Sequence, residues 1–166
     1  MTFKIAFTSS KHYYKESYEE LISLKKFKKF EPILAIILLF FGVFLFISDS
    51  INKLKFLPIV FIILGVYEFF KFYYDKNKWI EARAKSGIIN KELVLEFDDF
   101  FIKHSGPFSS GEISWSGIKS IKKTKRGIIL NQETGTSIYL PDSVFKNSEQ
   151  VKFILSKTQE TAHNRL

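Results

Sequence analysis

Few residues in this chain are of types, and at spacings, that could do chemistry. Asp98 and Asp99 are paired carboxylates, the groups that general acid–base work on a glycosidic bond requires, but adjacent acids between two strand-like stretches read as a turn. His12, His104 and His163 are scattered without partners at metal-ligand spacing, and the absence of cysteine removes thiolate metal sites and disulfides. Ser109-Ser110-Gly111 lacks the strand-to-helix context of a serine nucleophile, and there is no glycine-rich phosphate loop. The residues therefore point to no enzyme, no cofactor and no metal.

What remains is charge placed against apolar surface. Glu68 lies near the inner end of an apolar run, one turn before Lys71; an acid at membrane depth is a candidate for proton or ion movement, and pairing with Lys71 is the commoner outcome. Lys25, Lys26, Lys28 and Lys29 are interleaved with Phe27 and Phe30, which would set ammonium groups at headgroup level while the rings enter the interface. Each such lysine adds about 1 kcal/mol of attraction to an anionic leaflet. A second basic cluster, Lys122, Lys123, Lys125 and Arg126, precedes Gly127 and is either a headgroup-binding loop or a solvated turn in a lysine-rich protein.

The elements that position these groups start with two apolar stretches, Ile33 to Ile47 and Phe56 to Tyr67, on either side of the polar connector Ser48 to Lys55. The first covers roughly 23 Å as a helix and reaches a roughly 30 Å hydrocarbon core only with its flanks, Phe30 to Pro32 and Ser48 to Ile51. The second is extended by an aromatic cluster, Phe69, Phe70, Phe72, Tyr73 and Tyr74, of the kind that settles at an interface. Roughly thirty residues of patterned sequence precede the first stretch and no small-residue cleavage site follows it, so a cleavable signal peptide is not expected. Lys and Arg crowd the outer ends of this hairpin, whereas only Lys53 and Lys55 lie in the connector; both termini should be cytoplasmic, in a multi-pass protein of the inner membrane. The net charge of +8 is carried mainly by lysine, with arginine only at positions 83, 126 and 165, which argues against nucleic acid as a partner.

Outside the hairpin the periods change. Phe3, Ile5 and Phe7 alternate with polar or small residues as in a strand, which needs a sheet to join, and the only candidate sheet is C-terminal. Thr8, Ser9 and Ser10 offer caps for a helix through Tyr14, Tyr18, Leu21, Ile22 and Lys25, and Pro32 disfavours helical geometry at Glu31, so a break or kink should separate this helix from the first span. The second span should continue as one helix of about 30 residues to Ser86 and Gly87. Strands are predicted at Glu92 to Phe97, Phe100 to His104, Glu112 to Trp115, Lys119 to Lys125, Ile128 to Asn131 and Thr136 to Leu140. Turns fall at Asp98-Asp99, Ser105 to Gly111, Arg126-Gly127 and Glu133 to Gly135. Asn147 or Ser148 can cap a closing helix with Val151, Ile154 and Leu155 on its apolar face and Phe153 at the edge. Trp115, between Ile113 and Ile118, reads as core.

A strand and helix, a two-span hairpin, strands containing Ile113-Ser114-Trp115-Ser116-Gly117-Ile118, then Ile138-Tyr139-Leu140-Pro141, Phe145 and a last helix: this order of parts resembles the YcxB-like family of bacterial membrane proteins. The resemblance implies a C-terminal domain related to pleckstrin-homology-like domains, a partly open antiparallel barrel plugged by the last helix, and no catalytic residues. The fold class is thus a membrane α+β protein, divided at 1–31 (strand and juxtamembrane helix), 32–86 (transmembrane hairpin with a cytoplasmic extension) and 87–166 (the YcxB-like domain). The function expected is a non-enzymatic membrane anchor for a cytoplasmic domain that docks an unknown protein partner or senses anionic lipid headgroups. The rival is a small oligomeric transport or channel-type protein in which Glu68 faces a shared interior.

Overall fold

A computed structural model of the chain describes residues 1–48 and 56–163, so most of the connector, with Lys53 and Lys55, lies outside the described residues. The chain divides into two compact units, one formed by Met1–Leu21 with Arg83–Leu166 and the other by Ile22–Ala82.

In the first unit, strand β1 (Phe3–Thr8) and helix α1 (Lys11–Ser23) precede the six strands of the C-terminal region: β2 (Glu92–Phe97), β3 (Phe101–Ser105), β4 (Ser110–Ser114), β5 (Ile118–Lys123), β6 (Gly127–Gln132) and β7 (Ser137–Pro141). They form two antiparallel sheets, β1-β2-β3-β4 and β5-β6-β7. The N-terminal strand does join the C-terminal sheet: Phe3 pairs with Phe97, Ile5 with Leu95 and Phe7 with Leu93. The alternation demands this, since one face of β1 is apolar and its backbone needs partners. A fragment beginning at Glu92 would leave the edge of β2 unpaired.

Facing side chains from both sheets make the core. Phe97, Ile102, Ile118, Ile128, Leu130 and Leu140 are fully buried, and helix α4 (Ser148–His163), packed on β5, adds the fully buried Ile154. Asn147 Oδ1 accepts from Gln150 N at 3.1 Å and so caps α4. Phe153, expected at the edge of the helix's apolar face, is partly buried there and meets the core rings edge-on, 5.7 Å from Phe3 and 6.3 Å from Trp115. Strand ends shift by a residue or two from expectation for local reasons. β5 stops at Lys123 because Thr124 N donates to Gly127 O at 2.8 Å and closes the turn there, and β4 stops at Ser114 because Trp115 begins a single 3-10 turn, Trp115–Gly117.

The second unit is a pair of helices. α2 (Glu31–Ile47) is preceded by a 3-10 turn at Lys28–Phe30, and α3 runs as one helix over Leu57–Ala84. The break between α1 and α2 comes earlier than Pro32 suggested, after Ser23; Pro32 sits in the first turn of α2, where an amide hydrogen has no intrahelical partner to lose. α3 ends as expected short of Gly87, whose φ of +74° is the left-handed conformation that glycine reaches without a Cβ penalty. Both helices are long and apolar enough to cross a membrane, the first because the turn at Lys28 extends it to 20 residues, roughly 30 Å. Their mutual contact is made by small residues. Ala35 and Gly42 of α2 and Pro58 and Gly65 of α3 are buried, while Phe40, Phe44, Phe46, Ile47, Ile63 and Phe70 are exposed.

Candidate functional site

The basic turn between β5 and β6 is the most structured of the charged clusters, because α1 supplies its counter-charges. On a helix, residues three, four and seven apart share a face. Tyr13, Glu16 and Glu20 do so, and this face meets β7 and the turn between β5 and β6. The Tyr13 hydroxyl donates to the Tyr139 carbonyl at 2.8 Å, and the Tyr139 hydroxyl donates to Glu16 and lies 3.0 Å from the Arg126 carbonyl. Arg126 donates through Nε to Glu20 Oε1 at 2.6 Å and through a terminal nitrogen to Glu19 Oε2 at 2.8 Å. Its planar fork suits two carboxylates at once.

The electrostatics follow from the geometry. Burial pushes the Glu20 carboxyl up, but hydrogen bonds from Arg126 and Thr124 and the charge of Arg126 outweigh it and leave its pKa below the ordinary 4.5. Arg126 is held more firmly protonated by its hydrogen bonds to Glu19 and Glu20. Burial first, and then the hydrogen bond to Glu16, raises the Tyr139 hydroxyl out of reach of physiological titration.

The four basic residues of this turn, read in the sequence as either a headgroup-binding loop or a solvated turn, have different surroundings. Arg126 is committed to α1, and Lys123 Nζ bonds both carboxylate oxygens of Asp142, at 2.6 and 2.7 Å. Lys122 and Lys125 are exposed and carry no ion pair among the described residues. In the helical pair, Lys25, Lys26 and Lys29 are exposed with Phe27 and Phe30, Lys29 Nζ lies 4.9 Å from the Phe30 ring, and Lys28 Nζ lies 3.9 Å from Asp75 of α3. Glu68 meets Lys71 at 3.5 Å, the pairing its spacing favours.

The remaining polar residues take structural positions. Asp98 Oδ1 accepts from Phe100 N at 2.7 Å and Phe101 N at 2.6 Å, a local turn that lowers its pKa by those two bonds. Trp115 is buried and donates from Nε1 to the Asp98 carbonyl at 2.9 Å. His12 lies on the exposed side of α1, 3.9 Å from Glu16, and His104 lies on the inner face of the first sheet. No group of three or more His, Asp or Glu among the described residues is placed to hold a metal ion.

The segment that carries Trp115, the basic turn and the sheet contacts of α4 is also the part of the chain that is similar to a known family. Residues 97–157 match the YcxB-like protein family. The YcxB-like segment starts at the last residue of β2, takes in β3 to β7 and ends within α4; β1, α1 and the two apolar helices lie before it. Comparison of the chain with curated proteins and with solved structures gives no match.

Sequence reading missed the clasp between α1 and the YcxB-like segment. The usable signal was three acids, Glu16, Glu19 and Glu20, on one short helix of a strongly basic chain with few arginines. Removing one partner of a buried ion pair strands the other. Arg126 is partly exposed, so Arg126→Ala should destabilise this unit by about 1–3 kcal/mol rather than the full buried-pair cost. A pH test isolates the charge. The carboxyl of Glu20 titrates lower when folded than when unfolded, so its contribution is present above about pH 4.5 and is lost as pH falls through the folded value. The melting temperature of wild type should therefore exceed that of Glu20→Gln at pH 7, with the gap narrowing toward pH 4; a gap that is constant with pH would rule out an ionic clasp.

Proposed function

We propose that this chain is a non-enzymatic bacterial membrane protein: the α2–α3 hairpin crosses the cytoplasmic membrane and anchors a pleckstrin-homology-like domain that docks a protein partner or senses anionic lipid. The observation that supports the anchor best is the arrangement of side chains in the hairpin. A pair of helices in water turns its large apolar residues inward, but here the buried positions are small residues, and most of the phenylalanines and isoleucines face out. That is how helices pack in lipid, where close backbone approach gains more than burial of large side chains. The aromatic-rich end of the span and its flanking lysines suit an interface.

Two antiparallel sheets with a C-terminal helix packed on β5 support the pleckstrin-homology-like reading of the first unit. In its lipid-sensing form, Lys122 and Lys125, together with the juxtamembrane lysines, make the contacts, because Lys123 and Arg126 are already neutralised by Asp142, Glu19 and Glu20. The pairing of Glu68 with Lys71 gives the transport alternative no support of its own.

The anchor is tested on the full chain. It should stay in the membrane pellet through alkaline carbonate extraction, and a reporter fused after Leu166 should be active only in the cytoplasm; release of the protein, or activity outside, overturns the topology. The lipid form has its own measurement. With a fluorophore on a cysteine introduced near the basic turn and an acceptor in the headgroups, transfer should rise with the anionic lipid fraction. It should fall at high salt and fall with Lys122→Glu plus Lys125→Glu. If transfer ignores all three, partner docking is the form that stands.

A further inference from the structure

Within the first unit, the inner faces of the two sheets part at one end to leave a cleft of about 400 Å³. Phe7, Leu95, Ile113 and Ile138 form much of its wall, and His104 and Gln132 bring polar groups to it. Gln132 ends β6, whereas the basic turn precedes the start of that strand, so the cleft and the turn lie at opposite ends of β6.

Two residues of the cleft end break the pattern of the sheet together. Ile5, Leu95, His104 and Gly111 lie in one cross-strand row, so they share the inner face, and the next row along is Phe3, Phe97, Ile102 and Ile113. An apolar residue is what such a face asks for at position 104. The histidine is accommodated because its cross-strand partner is glycine: a Cβ at position 111 would stand 2.8 Å from His104 Cε1. Neither ring nitrogen has a hydrogen-bond partner among the described residues, and Nδ1 is fully buried, which leaves Nε2 as the nitrogen an incoming molecule can reach. A half-buried imidazole without a partner, seated by a glycine in an otherwise apolar row, calls for an explanation.

We propose that this cleft binds an uncharged, largely apolar small molecule carrying one carbonyl or hydroxyl group, which hydrogen-bonds to His104 Nε2. The size follows from the volume: an apolar cavity of about 150 Å³ takes benzene, so 400 Å³ admits a molecule on the order of a dozen non-hydrogen atoms. The charge state follows from the lining, which includes no Lys, Arg, Asp or Glu, so that no permanently charged side chain is there to hold a carboxylate or a phosphate. A few polar groups on a largely apolar wall, here His104 and Gln132 with Tyr13, Ser105 and Ser137, are the usual composition of a small-molecule site. This site is chemically distinct from the lysines proposed to meet headgroups.

The test uses the full chain in lipid nanodiscs with ¹⁵N-labelled histidine, where three side chains give the whole spectrum. The probes are 4-phenylbutan-2-one and its charged counterpart 3-phenylpropanoate. The ketone should shift the His104 ring nitrogens saturably at millimolar concentration and leave His12 and His163 unmoved, while the carboxylate binds at least about tenfold more weakly. Ligand-observed NMR should show the ketone's affinity falling by at least about tenfold in His104→Leu, which keeps the wall apolar and removes the nitrogen. The proposal is overturned if the ketone leaves His104 unshifted, if the carboxylate binds as well, or if folded His104→Leu holds the ketone as tightly as wild type. The first two outcomes are read on the wild-type chain and do not depend on a variant folding.

Discussion

Replacing Trp115 by alanine should destabilise the first unit by about 3–5 kcal/mol, the largest loss expected from any single side chain there. The indole is buried, its ring centroid lies 6.2 Å from Phe97 and 6.3 Å from Phe153, and it joins the end of the first sheet to α4. Its Nε1 also donates to the carbonyl of Asp98, whose carboxylate holds the amides of Phe100 and Phe101. Truncation therefore opens a cavity and loosens the β2–β3 turn at once. Trp115→Phe separates the two effects: it keeps most of the ring contact and loses the hydrogen bond, which should cost about 1 kcal/mol from that bond, plus whatever the smaller ring fails to fill. Thermal unfolding of the full chain in detergent, followed alongside protease cleavage, gives the order wild type, Trp115→Phe, Trp115→Ala. Equal melting of wild type and Trp115→Ala would show that the indole is not part of the core.

Which parts of this molecule were legible in the sequence depends on the range of the interaction. Strands β2 to β7 could be read because alternation and turn residues are local, and their misplaced ends fall where a short contact intervenes, as at the Thr124–Gly127 turn. β1 could be placed by elimination, since a lone amphipathic strand needs a sheet. Trp115 followed from size and neighbours. The clasp of Arg126 on Glu19 and Glu20 spans more than a hundred residues of chain, and no local pattern announces it. The pairing of His104 with Gly111 was equally hidden, because only the register of β3 against β4 puts the imidazole over the glycine. The four basic residues of the turn look alike in sequence, and only contacts distant in the chain pair Arg126 with Glu19 and Glu20 and Lys123 with Asp142. Sequence shows which charges exist; tertiary contacts decide which are already spent.

Gly42→Leu should pry the helical hairpin apart. A Cβ at position 42 would lie 2.7 Å from Ile62 Cγ1 and 2.9 Å from both Ile62 N and the Pro58 carbonyl oxygen. Two of those three atoms are backbone, which cannot rotate away, so the helices must separate or shear. Gly65 repeats the arrangement from the other helix, with a Cβ there 2.7 Å from Leu39 Cγ and 3.0 Å from the Ala35 carbonyl oxygen. Overfilling a tight contact costs about 1–3 kcal/mol when neighbours can adjust, and more is expected where backbone blocks the way. In lipid the loss weighs heavily, because no hydrophobic force holds the helices together and close packing is what remains. The chain has no cysteine, so Phe41→Cys with Phe61→Cys, at rings now 5.2 Å apart, makes a clean crosslinking reporter for the α2–α3 contact. Crosslinking by a short bismaleimide in native membranes should drop severalfold with Gly42→Leu or Gly65→Leu. It should be unchanged by Val43→Leu, on an exposed face of α2. Undiminished crosslinking in both glycine variants would mean that the helices are not held by this contact, and the small-residue seam would no longer support the proposed anchor.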